Sequence, residues 1–136
     1  MSIDQNKALL VSYNNEVIEK GNMDFFRQIA APDFLNHSAP KGMPASIDGI
    51  IYFFTDILHA AFTDIQVEVL DMIAENDKVA TRKIITGTHT GALFGIAPTG
   101  KKITIKVIDV FTVSGGKLKE HWGENNFAAV AELLKA

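Results

Sequence analysis

The stretch Lys102-Ile-Thr-Ile-Lys-Val-Ile-Asp109-Val-Phe-Thr-Val113, followed by Ser114-Gly115-Gly116 and then Lys117-Leu-Lys-Glu-His-Trp-Gly-Glu124, decides the fold. Ile103, Ile105, Val107, Phe111 and Val113 fall on alternate positions, the period of a strand with one face against a core. Gly115-Gly116 accepts the positive φ angles of a tight turn, so the two runs read as a long hairpin with strands at 102–113 and 117–124. Asp109 shares the apolar row, and a carboxylate in such a row has two readings. Burial raises its pKa and readies it for proton transfer, or a Lys, an Arg or the backbone pairs with it structurally.

Outward from this hairpin the same period recurs. Ile65, Val67 and Val69 alternate with Gln66 and Glu68, β-branched residues dominate 79–90, and Asn76-Asp77 marks the turn between them. The N-terminal half has a helical period instead. Leu10, Tyr13 and Val17 predict a helix over 7–20 that stops at Gly21-Asn22, and a short helix follows over 23–30. Pro32 ends it, and 34–37 reads as a brief strand before Pro40, Gly42 and Pro44. Ser46 caps a third helix whose apolar stripe is Ile50, Phe53, Phe54, Ile57 and Ala61, and 127–135 closes the chain as another helix. Helices first and a long antiparallel sheet second give an α+β class, with a curved sheet wrapped around the helices and a cavity inside.

The chain has 136 residues, 47% hydrophobic and 21% charged, so we expect a single domain over 1–136. A net charge of −3 gives no electrostatic drive toward nucleic acid or an anionic membrane. No window approaches a membrane span, no secretory signal opens the chain, and Cys is absent, which together lead us to expect a cytoplasmic protein without disulfides or thiolate metal sites.

Several motifs fail on inspection. Gly95-Ile-Ala-Pro-Thr-Gly100-Lys101-Lys102 spells most of a phosphate loop, but Lys102 replaces the magnesium-binding hydroxyl and a strand follows where a helix is required. Ser114 lies in no nucleophile elbow. His37, His59, His89 and His121 lack metal-ligand spacing, so no metal is expected. The residues left for chemistry are few. Regular pairing across the 114–116 turn brings Glu120, His121 and Trp122 near Asp109, with Glu120 and Trp122 on one face and His121 on the other; a one-residue bulge exchanges the faces. His121 is the natural acid or base. Arg82, central in a strand, pairs with Asp109 or Glu120 or meets an anionic substrate. Tyr13 is either core or a cavity donor.

Asn36-His37, Ala61-Phe62-Thr63-Asp64, Asp77-Lys-Val-Ala-Thr-Arg82, Gly87-Thr-His89-Thr-Gly91, Gly95-Ile-Ala-Pro-Thr-Gly-Lys101 and Gly116-Lys-Leu-Lys-Glu-His-Trp122 together resemble the SnoaL-like polyketide cyclases, or ester cyclases, of the NTF2-like superfamily. The resemblance implies a cone with three helices and a curved sheet, a homodimer through the outer sheet face, no cofactor, and a cavity for a hydrophobic or polycyclic carbonyl ligand. It also implies an aspartate acting as general acid/base in an intramolecular aldol closure. The family often carries that Asp shortly after His-Trp. Here Gly123-Glu124-Asn125-Asn126 follow, leaving Asp109 on the adjoining strand or Glu124 at the strand end to replace it.

The sequence thus points to catalysis by Asp109, His121 and His37, with Tyr13, Phe53, Arg82, His89, Glu120 and Trp122 contacting substrate. Two rival readings remain: proton-shuttling isomerisation of a ketosteroid type using Tyr13 with Asp109, and a non-catalytic ligand-binding dimer.

Overall fold

Five strands form one sheet in the order β1-β5-β4-β3-β2: β1 (Ala30–Asn36), β2 (Phe62–Glu75), β3 (Lys78–His89), β4 (Lys102–Ser114) and β5 (Lys117–Asn125). This architecture comes from a computed structural model, which describes residues 2–135. Neighbours from β2 to β5 are antiparallel, whereas β1 lies parallel to β5, so the sheet is mixed and unclosed. Both expected hairpins are present. Glu75 pairs with Lys78 around Asn76-Asp77, and Ser114 pairs with Lys117 around Gly115 (φ 57°) and Gly116 (φ 76°). The near-phosphate-loop motif lies in the connection between β3 and β4.

Irregularities bend the sheet. One falls in β2 between Val69 and Asp71, and another in the β4–β5 ladder between Thr112 and Val113. β1 begins earlier than the sequence pattern indicates and contains Pro32, which sits where its ladder is interrupted between Ala30 and Leu35. On an edge strand the missing proline N–H removes no necessary bond.

The helices cover one face. Helix α1 (Ile3–Ser12) starts at a capping box formed by Ser2 and Gln5 and runs directly into a π-helical segment, Tyr13–Glu19. The wider π turn buries Tyr13, Asn14, Val17 and Ile18, a broad face turned to the sheet. Helix α2 (Met23–Ile29) is capped by Asn22, whose side-chain oxygen accepts from Phe25 N. Helix α3 (Ile47–Tyr52) passes through a second π segment, Phe53–Leu58, into the short α4 (His59–Ala61), and α5 (Phe127–Leu134) closes the chain. Tyr13 lies edge-on to Phe26 and Phe111 at the centre of the core, with centroids 5.6 and 4.9 Å away.

Where α4 meets the end of β3, Thr90 N and Gly91 N both donate to Ala61 O. A Cβ on Gly91 would stand 2.0 Å from Ala60 O, a backbone atom without freedom to retreat. Gly91→Ala is therefore expected to lower the unfolding free energy by about 1–3 kcal/mol in urea titrations. Unchanged stability would show that this junction is not a close backbone contact.

Candidate active site

Between the helices and the inner sheet face lies a cavity of about 530 Å³. Its deepest lining is polar: Tyr13, Lys83 and Asp109 are almost wholly buried, with His121 beside them. Apolar side chains such as Phe54, Ile57, Ile85 and Ile105 make the walls, and the exposed Pro40, Pro44 and Phe94 mark the rim.

The irregularity in β5 decides which side chains reach this floor. Val113 pairs with Leu118 but Thr112 pairs with Glu120, so Lys119 is the extra residue and the facing reverses beyond it. His121 then stands opposite Phe111, and Gly123 opposite Asp109, on the inner face. Gly123 leaves room for the His121 ring, since a Cβ there would lie 2.9 Å from His121 Cε1.

Lys83 is 2% exposed and its Nζ donates to Asp109 Oδ2 at 3.0 Å and to Asn14 Oδ1 at 2.8 Å. Asn14 Nδ2 in turn donates to Leu10 O. On the other side His121 Nε2 is 3.6 Å from Asp109 Oδ2. Asn36 Oδ1 accepts from Ser38 N at 3.0 Å and lies 2.9 Å from His121 Nδ1. An oxygen in that position is matched by an N–H, which places the His121 proton on Nδ1 and turns Nε2 toward Asp109. Asp109 Oδ1 is buried and accepts no hydrogen bond from any described residue.

Burial pushes the Asp109 carboxyl up, but the Lys83 ammonium, joined by His121 when its Nε2 also carries a proton, outweighs it and holds the group below the ordinary value of 3.8. Of the two readings of Asp109 in its apolar row, the pairing with a lysine is the one found, and the raised pKa is not: the cation sits on β3, where alternation analysis of β4 alone does not reveal it. Burial, with Asp109 as a second cause, raises the Tyr13 phenol well above 10.0. Tyr13 therefore keeps its proton, and thus a donor, throughout the neutral range.

The sequence profile of SnoaL-like polyketide cyclases matches residues 8–133. The chain belongs to this family. Among solved structures, AclR from Streptomyces galilaeus, a candidate hydroxylase, is 27% identical over 98% of both chains with a TM-score of 0.86. A candidate polyketide cyclase from Acidithiobacillus ferrooxidans is also 27% identical, over 99% of this chain and 98% of its own, with a TM-score of 0.83. IdmH from Streptomyces antibioticus, a candidate polyketide cyclase, shares the fold at 24% identity and a TM-score of 0.83, covering 97% and 99%. No curated protein matches the sequence. Among the described residues no helix is long and apolar enough to cross a membrane.

Within this SnoaL-like cone the structure brings together Tyr13, Phe53, Asp109 and His121. The other expected site residues lie elsewhere. Glu120 and Trp122 are on the outer sheet face, because the extra residue at Lys119 exchanges the faces of β5. His37 joins them there, 2.8 Å from Glu120 Oε2 and stacked on Trp122 with centroids 4.6 Å apart. Arg82 pairs across the outer face with Asp71 at 2.6 Å, not with Asp109 or Glu120. His89 is fully buried outside the cavity, its Nδ1 accepting from Thr99 N. Lys83 and Asn14 are the site residues that sequence reasoning passed over. For Lys83 the signal was available: Val79, Thr81, Lys83 and Ile85 share one phase in β3, and Arg82 has the opposite one.

The ion pair has a measurable signature. Lys83→Met strands a buried carboxylate and is expected to cost about 3–5 kcal/mol at pH 7 in urea unfolding. Because the native Asp109 pKa is depressed, the stability the pair contributes is present above the ordinary carboxylate value and drains as pH falls through the lower native one. The gap between wild type and Lys83→Met should therefore narrow from pH 7 to pH 3. A gap independent of pH would mean that the two charges are not coupled.

Proposed function

We propose that this SnoaL-like protein performs cofactor-independent acid/base chemistry on a hydrophobic carbonyl compound, an aldol-type ring closure in the cone cavity. The observation that carries the reading is an ionised Asp109, held by Lys83 on the polar floor of a cavity whose walls are apolar. That carboxylate is a proton acceptor at neutral pH without first having to lose a proton. Its depressed pKa makes it a mild base, suited to a C–H flanked by two carbonyl groups and poorly matched to a simple ketone.

In this mechanism the Asp109 carboxylate takes the proton from the activated carbon. The resulting enolate oxygen faces Lys83, two of whose three hydrogens are engaged by Asp109 and Asn14, and the protonated Tyr13 phenol. The enolate carbon adds to a second carbonyl of the same molecule, forming one carbon–carbon bond. The proton held by Asp109 returns to the new alkoxide, directly or through His121 Nε2, so the net change is an isomerisation. The apolar walls exclude water that would quench the enolate. A homodimer through the outer sheet face fits the exposed Ile73 and Ile108 there.

Two observations keep rival chemistries in play. Tyr13 as a permanent donor beside Asp109 would also serve a double-bond shift, and the Lys83–Asp109 pair would also suit a binding protein without turnover. Deuterium exchange at the activated carbon of a bicyclic β-keto ester, followed by NMR, separates them from the main reading when products are analysed alongside. The expected result is protein-accelerated exchange that falls about 10²–10⁴-fold in Asp109→Asn of native circular dichroism. Undiminished exchange in that variant would remove Asp109 as the base. Binding without exchange would leave a ligand-binding domain.

A further inference from the structure

Phe94 is the anomaly at the cavity rim. It is 66% exposed and adopts φ 48°, the left-handed region that a bulky side chain occupies only at a cost. The loop around it is not loose. Leu93 is buried and exchanges backbone hydrogen bonds with Ile96, at 3.0 and 2.7 Å, and Thr99 is fastened to His89 through both its N–H and its hydroxyl. Two anchors thus present one strained, uncovered aromatic ring to the mouth of the cavity. Its ring lies 6.1 Å from Phe127, which packs edge-on against Phe53 at 5.3 Å, so an aromatic wall runs from the rim down into the cavity.

We propose that Phe94 is a specificity-determining residue that clamps the flat aromatic body of a ligand whose carbonyl end sits at Asp109, Lys83 and Tyr13. This rests on the reading of the cavity as a carbonyl site and adds the residue that sorts ligands there: Phe94 favours a flat aromatic body over a compact aliphatic one. The physical case is the division of the cavity. All its charge lies at the buried floor, its rim offers Pro40, Pro44 and Phe94, and a ligand covering Phe94 removes apolar surface from water at a residue already fixed in place. Edge and face contacts with Phe94 and Phe127 add the ring–ring preference that a saturated body lacks.

The test is fluorescence or calorimetric titration of the intact chain with two probes, 2-acetylanthracene and cyclohexyl methyl ketone, in wild type, Phe94→Ala and Phe94→Trp. Phe94→Ala should weaken the aromatic ketone about tenfold, leave the aliphatic one within twofold, and leave the melting temperature close to that of wild type, since the exposed ring packs little of its surface. Phe94→Trp should restore the aromatic affinity. Equal aromatic binding in wild type and Phe94→Ala would overturn the clamp while leaving the carbonyl site standing. Failure of both probes to bind wild type would overturn the site reading and the clamp with it. A change of oligomeric state in Phe94→Ala, read by light scattering, would make Phe94 an interface residue and also overturn the proposal.

Discussion

The buried pair of Lys83 and Asp109 is the constraint around which this cavity is organised. Taking either charge out of water costs several kcal/mol, and only a close partner with further hydrogen bonds offsets it. Here the bond of 3.0 Å joins the inward faces of β3 and β4, and Asn14 extends it into the π segment that follows α1. The same contact fixes three chemical facts: Asp109 is ionised, Lys83 is oriented, and Tyr13, facing a negative charge in a desolvated place, holds its proton. The polar floor is therefore assembled before any ligand arrives, which is the condition for electrostatic stabilisation of a developing oxyanion.

The unsatisfied oxygen of Asp109 belongs to the same logic. A buried acceptor without a partner among the described residues is a cost to folding, and the Lys83 bond to the other oxygen of the same carboxylate offsets part of it. His121 is positioned by two compensations on neighbouring strands: the extra residue at Lys119 turns it inward, and the missing Cβ of Gly123 gives its ring space. On the outer face the alternate residues His37, Glu120 and Trp122 form a separate cluster. His37 N donates to His121 O at 2.9 Å, so the outer cluster also secures the β1–β5 contact that places Asn36 against His121.

Much of this was legible in the chain, and the limits have physical causes. The α+β order, both tight hairpins and the inward phase of Asp109 follow from period-two alternation and from Gly115-Gly116, signals that are local. The same alternation places Lys83 inward and Arg82 outward, but two adjacent basic residues leave open which of them meets Asp109 until the phase of β3 against the core is fixed. The facing of β5 was beyond reach, because one extra residue reverses every side chain beyond it and nothing in Lys117-Leu-Lys-Glu-His-Trp122 announces the bulge. The parallel placement of β1 depends on contacts between residues more than eighty positions apart. The pKa direction of Asp109 likewise depends on the opposing strand, since burial alone gives the wrong sign.

The measurement that bears most directly on the account is a pH titration of the Asp109 carboxyl by carbon-13 NMR in the free protein, with Asp109→Asn to assign the signal. The account predicts a carboxyl that stays ionised down to pH values below 3.8 and is released upward when Lys83 is replaced by Met. An Asp109 that titrates near neutrality in the wild type would contradict it, and would mean that burial prevails over Lys83 and His121.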